Sequence, residues 1–192
     1  MQDLAPHAAN FVPLSPISFL ERAALVYPDR PSVIHGERRF TWRETADRCR
    51  QLASAINRQS LGKGDVVAII APNVPALYEC HFGVPMSGAT LLTLNTRLDV
   101  DTTAYILAHA QAKLLFCDPE FASLISAVQA ELPEPVTVID VADPLFTGDV
   151  NPIGACDYET FLTLSDPEFE PIWPSDEWDT ISLNYTSGTT GR

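Results

Sequence analysis

Near its C-terminal end the sequence carries Tyr185-Thr186-Ser187-Gly188-Thr189-Thr190-Gly191, followed by Arg192. Glycines let a backbone turn tightly and let its N–H groups approach a ligand with no Cβ in the way. Successive N–H groups in such a turn form a nest for an anion. The hydroxyls of Thr186, Ser187, Thr189 and Thr190 add donors and can ligate a magnesium ion carried by a nucleotide. The chemistry on offer is phosphate binding. The run is not a Walker A loop, which needs G-x-x-x-x-G-K-[ST]; here Gly188 and Gly191 are three apart and Arg192 comes next. Nor is it a dinucleotide G-x-G-x-x-G. Taken alone, a Gly/Ser/Thr turn fits a structural bend as well as a phosphate cradle.

Such a turn binds only if something holds it. The residues before it, "DTISLNY", read as a buried-type strand, which puts the turn at the carboxyl end of a sheet, where open α/β sheets bind ligands. Upstream, apolar strands alternate with helical stretches. "DVVAII", "ATLLTL", "AKLLFC" and "PVTVID" are the strands; "VPALYECHFGVPMSG", "DVDTTAYILAHAQ" and "DPEFASLISAVQAEL" are the helices. Strands apolar on both faces, alternating with helices, predict an α/β fold with a mostly parallel sheet and helices on both faces. Crossovers should be right-handed.

Before this rhythm, residues 1–15 read as an extended segment. "SPISFLERAALVYPDR" then offers Ser15 as a cap and Pro16 in the first helical turn, with Phe19, Leu20, Ala23, Ala24 and Tyr27 on one face. "PSVIHGERRFTW" predicts a hairpin turning at Gly36. In "TWRETADRCRQLASAINRQSLG" Thr41 and Glu44 form a capping-box pattern, and Gly62 is the expected stop. Residues 141–178 are rich in Pro, Asp and Glu, with one short helical stretch, "DYETFLTL"; they predict an acidic surface excursion in which Trp173 and Trp178 act as anchors. The organisation is thus 1–15, an α/β body over 16–140, the excursion over 141–178, and strand plus loop over 179–192.

The 192 residues are 46% hydrophobic and 19% charged, enough for a packed core and against general disorder. The net charge of −13 argues against a nucleic-acid or anionic-membrane surface. Any bound polyanion must be held locally, by N–H groups, a helix end or a metal ion. Cys49, Cys80, Cys117 and Cys156 are scattered, with no C-x-x-C pair, and read as reduced thiols of an intracellular protein, cytoplasmic or in an organellar lumen. The first residues lack the basic and apolar regions of a secretory signal, and no apolar run approaches a membrane span.

The whole string "YTSGTTG" resembles the signature loop of the acyl-activating, adenylate-forming enzymes. The likeness extends upstream. "YPDRPSVIHGERRFTWRE" is similar to that family's N-terminal region, and "LGKGDVVAIIAPNVPALYECHFGVPMSGATLLTLNTRLD" to its first core strand, the helix after it and the Asn-x-Arg-Leu stretch. The resemblance covers about residues 16–192, and "TLNTRLD" looks closest to the acyl-CoA synthetases.

The resemblance implies the N-terminal part of the large domain of an AMP-forming acyl-CoA synthetase, an ATP-dependent acid–thiol ligase. Such an enzyme activates a fatty or short- to medium-chain acid with ATP and Mg2+ and then forms the coenzyme A thioester. It implies that Thr186, Ser187, Gly188, Thr189, Thr190 and Gly191 bind the ATP phosphates, with Thr186 near the magnesium ion. Arg97 could reach a coenzyme A phosphate, or equally pair with Asp99 or Asp101 or cap a helix C-terminus. Asn95 is expected to shape its turn, His81 to be a packed or rim histidine rather than one lining a ligand channel, and Tyr78 and Phe82 to be core. The family's loop continues with Pro-Lys-Gly, where this sequence has Arg192 as its last residue. The resemblance therefore implies an N-terminal piece, inactive alone, left by truncation or by cleavage after Arg192. Its partners would be the acid, ATP, coenzyme A and the rest of the polypeptide; a homodimer is compatible with the reading. The alternatives are a non-catalytic nucleotide-binding module and a scaffold derived from the same fold.

Overall fold

The computed structural model describes residues 7, 9–149 and 151–186. Helix α1 (Pro16–Val26) starts where Ser15 Oγ accepts from the Ile17 N–H, with Pro16 supplying the preset φ of a first turn. A hairpin follows, β1 (Pro31–His35) antiparallel to β2 (Arg38–Thr41), turning through Gly36 at φ +58. Helix α2 (Trp42–Arg58) opens on a complete capping box. The Glu44 N–H donates to Thr41 Oγ1, and the Thr41 N–H donates to Glu44 Oε2 at 2.8 Å.

The body alternates strand and helix: β3 (Val66–Ile70), α3 (Pro75–Met86), β4 (Thr90–Thr93), α4 (Val100–His109), β5 (Ala112–Cys117), a short 3₁₀ turn (Pro119–Phe121) running into α5 (Ala122–Glu131), and β6 (Thr137–Asp140). Helix α6 (Tyr158–Leu162) and strand β7 (Ser182–Leu183) complete it. The five strands β3–β7 form one all-parallel sheet in the order β6-β5-β3-β4-β7.

Period-2 alternation divides the sheet between two cores. Val67, Ile69, Leu91, Leu114 and Phe116 face α2, α3 and α6. Ala68, Ile70, Leu92, Leu115 and Cys117 face α4 and α5. The crossovers from β3 to β4 and from β6 to β7 run one way across the sheet and use the first face. Those from β4 to β5 and from β5 to β6 run the other way and use the second. This is the arrangement single-handed crossovers require. A third cluster, around Ile17, Leu20, Cys49 and Met86, docks α1 on α2 and α3.

Several local expectations are corrected. In α1 the buried stripe is Ile17 and Leu20, while Phe19 and Tyr27 are exposed; helical spacing admitted two adjacent stripes, and the docking face selects the one carrying Ile17. Helix α2 ends before Gly62: Ser60 takes the left-handed conformation, φ +61, and Asn57 Nδ2 donates to the Leu61 and Ser87 carbonyls to tie the end down. Tyr78 and Phe82 form an edge-to-face pair but are only half-buried. The acidic stretch is not all surface. Tyr158 and Phe161 of α6 pack edge-on against Phe116 inside the first core. Neither Trp178, 92% exposed, nor Trp173, also exposed, is a buried anchor; polar bonds fasten the stretch instead, among them the Asp166 N–H donating to Ser54 Oγ and the Ile172 N–H donating to the Met86 carbonyl. Strand β7 is an edge strand with Ser182 exposed and Leu183 half-buried, not a buried one.

Candidate functional site

Parallel strands bring every carboxyl end to one side of the sheet. On that side β4 runs into the turn Asn95–Leu98 and β7 into Asn184–Thr186. Asn95 shapes its turn as expected, its Oδ1 accepting from the Arg97 N–H at 2.9 Å. Asp99 then caps α4 by accepting from the Thr102 N–H, and bonding to the Thr102 side chain and then to that N–H holds its carboxyl below the usual range. Between the two exits and α4 lies a cleft of about 670 Å3, lined by Asn95, Leu98, Thr102, Tyr105, Tyr185 and Thr186 among others.

Thr186 is exposed at the mouth of this cleft. Ser187, Gly188, Thr189, Thr190 and Gly191 lie outside the described residues. Arg97 sits on the same turn as Asn95 and Leu98 and is exposed; it pairs with neither Asp99 nor Asp101 among the described residues. The structure thus brings Thr186 beside the turn that carries Arg97. His81 lies on a rim, its Nδ1 2.7 Å from the Leu77 carbonyl oxygen.

Two features escaped the sequence reading. The first is a ring array along the cleft: Tyr105 stacks on His109, whose Nδ1 lies 2.6 Å from the Tyr185 hydroxyl. Burial, and then the neighbouring Tyr105, pushes the Tyr185 hydroxyl pKa up. The i, i+4 spacing of Tyr105 and His109 was a visible signal. The second is a buried polar cluster under the first core. Glu79, 1% exposed, accepts from Arg48 and from the Tyr158 hydroxyl, and Arg48 also holds Glu159 by two 2.8 Å bonds. This cluster ties α2, α3 and α6 together, and Arg48, Tyr158 and Glu159 line a small cavity of about 40 Å3.

At the strand-order reversal between β3 and β5 stands Asp118, 1% exposed, one oxygen capping the 3₁₀ turn and Oδ2 without a partner among the described residues. Burial raises its pKa. All four cysteines are free, and burial pushes the thiols of Cys49 and Cys80 well up, so both stay protonated. Among the described residues no group of His, Cys, Asp and Glu is arranged to hold a metal ion, and no helix is long and apolar enough to cross a membrane.

A family model described as AMP-binding enzyme matches residues 20–192. The chain belongs to the AMP-binding enzyme family. Among relatives, an acetate–CoA ligase of Humulus lupulus is 48% identical over 99% of this chain and 35% of its own length. A peroxisomal butyrate–CoA ligase of Arabidopsis thaliana is 45% identical over the same shares. The chain therefore spans about a third of the length of the curated relatives it matches. A crystal structure of an anthranilate–CoA ligase in complex with anthranoyl-AMP superposes with a TM-score of 0.83, covering 97% of this chain and 35% of that one at 24% identity. That likeness bears on fold: the parallel sheet with helices on both faces is shared with the N-terminal region of such AMP-binding enzymes.

Proposed function

We propose that this chain is the N-terminal part of an AMP-forming acyl-CoA synthetase acting on short-chain carboxylic acids. A carboxylate oxygen bonds to the α-phosphorus of ATP and the bond from that phosphorus to the pyrophosphate oxygen breaks; the coenzyme A sulfur, its proton lost to solvent, then bonds to the acyl carbon as the bond from that carbon to the AMP phosphate oxygen breaks and AMP leaves. The observation that carries the reading is the position of Tyr185 and Thr186. They open the Gly/Thr run and leave β7 on the carboxyl side of a parallel sheet, beside a cleft of nucleotide-fitting size.

In this reading the backbone N–H groups and hydroxyls of Thr186–Gly191 hold the departing pyrophosphate, stabilising charge where it accumulates. ATP arrives as its magnesium complex. Thr186 fits that ion as one hard oxygen donor, exposed at the cleft mouth; with no metal-holding carboxylate cluster among the described residues, the phosphates and water supply the other ligands. The net charge of −13 makes such local holding necessary. Arg97, exposed on the adjoining turn, is the group we assign to a coenzyme A phosphate. The free, mostly buried thiols support a reducing compartment, cytosolic or organellar. The names of relatives, acetate and butyrate ligases among them, support the short-chain class.

ATP–pyrophosphate exchange by the complete gene product tests the reading. Exchange that appears with acetate or butyrate and vanishes without acid is expected. ATP binding with no acid-dependent exchange would overturn it in favour of a binding module.

A further inference from the structure

The sheet register of β7 ends at Leu183, paired with Leu92. Beyond it, two side-chain bonds hold the chain as it enters the hydroxyl-and-glycine run. Thr93 Oγ1 lies 3.3 Å from Asn184 Oδ1, a weak contact between a hydroxyl and an amide oxygen. The second is stronger: the Tyr185 hydroxyl and His109 Nδ1 are 2.6 Å apart, with the two rings edge-to-face at 5.8 Å. His109 is itself braced by the stacked ring of Tyr105 one helical turn earlier, and α4 is anchored by Ala104, Ile106 and Leu107 in the second core. The Tyr185 ring packs against that same core. A rigid helix therefore grips the residue next to Thr186.

We propose that His109 is a positioning residue for nucleotide binding: through Tyr185 it fixes where the chain leaves β7, and so where the Thr186 hydroxyl stands at the cleft mouth. His109 need not touch the nucleotide. The inference rests on the reading of the site as an ATP site. Losing the grip leaves the fold intact, because the exit lies past the last strand pair, but spreads the positions open to Thr186. Binding of Mg-ATP then bears the cost of ordering it.

The test uses the complete gene product and steady-state kinetics of acid-dependent exchange. His109→Ala and Tyr185→Phe should each raise KM for Mg-ATP about threefold to tenfold, the range set by one net hydrogen bond. KM for the acid and the melting temperature should stay as in the unmodified enzyme. The double variant should be no worse than either single one, as expected of two residues acting through one bond. His109→Gln, which keeps a polar atom within reach, should recover most of the affinity. An unchanged KM for Mg-ATP in both single variants, or effects that multiply in the double variant, would overturn the inference alone. No exchange by the unmodified enzyme would overturn the functional reading and this inference with it.

Discussion

Arg48 Nε donates to Glu79 Oε1 at 2.6 Å, from α2 to α3, across a site where the carboxylate has almost no access to water. Removing a carboxylate from water is costly, and burial accordingly pushes the Glu79 pKa up. Arg48 and the Tyr158 hydroxyl offset that cost, and the Arg48 guanidinium also lies over the Phe40 ring at 5.0 Å. Three helices and the hairpin thus share one cation.

Truncating the cation should expose the asymmetry of such a pair. Arg48→Met leaves Glu79 buried and unpaired, and should destabilise the chain by about 3–5 kcal/mol. Adding Glu79→Leu to it should restore part of the loss, since an apolar pair needs no ionic partner. Urea unfolding followed by circular dichroism measures both. A single variant within error of the parent would mean that the cluster is ornamental.

Gly83 gives a prediction opposite in sign to helix propensity. In most helix interiors Gly→Ala is stabilising. Here a Cβ would sit 2.7 Å from Leu52 Cδ2 and 2.9 Å from the Cys49 carbonyl oxygen, where α3 crosses α2. The backbone oxygen cannot step aside as a side-chain tip can. Gly83→Ala should therefore cost about 1–3 kcal/mol through overpacking. Any gain in the midpoint of chemical unfolding would refute the close approach.

Asp179 makes stability depend on acid. Lys63 Nζ and then the Ser175 hydroxyl bond its carboxylate, holding its pKa at about 2 against an ordinary 3.8. The folded value is depressed, so the contribution is fully present above about pH 4 and is lost as pH falls toward 2. Melting temperatures of Asp179→Asn and the parent should differ at pH 6 and converge by pH 2. Parallel curves across that range would remove the carboxylate from the account.

How much of this was legible beforehand depends on how far apart the cooperating residues lie. The capping box of α2 and the strand Ala112–Cys117 are written in neighbouring residues, and both stand where the sequence puts them. The parallel sheet was legible because its strands are apolar on both faces. The Arg48–Glu79–Tyr158 cluster was not, because its members come from three separated segments and no local pattern announces a buried charge. The same holds for α6, whose five residues are too few for a periodicity, yet whose two aromatic rings meet Phe116 in the core. Trp178 misled for the reverse reason: a large apolar residue suggests an anchor, but only a partner surface makes it one. At the candidate site, the turn of Asn95 was readable, whereas the His109–Tyr185 bond joins a helix end to a strand exit distant in sequence.

Thr186 gives a direct test of the proposal that the cleft engages a nucleotide. Its side chain is exposed and its strand pairing has already ended, so Thr186→Val removes a hydroxyl while keeping shape and β-branching, with little consequence for stability. If that hydroxyl is a ligand of the nucleotide's magnesium ion, the complete gene product should bind Mg-ATP less tightly by about tenfold, near the upper end of one net polar interaction. Its binding of ATP in the presence of a chelator should change little, because the lost contact is to the ion. Isothermal titration with and without magnesium separates the two. Equal losses in both titrations would assign the hydroxyl to a phosphate oxygen instead, and no loss in either would remove Thr186 from the site.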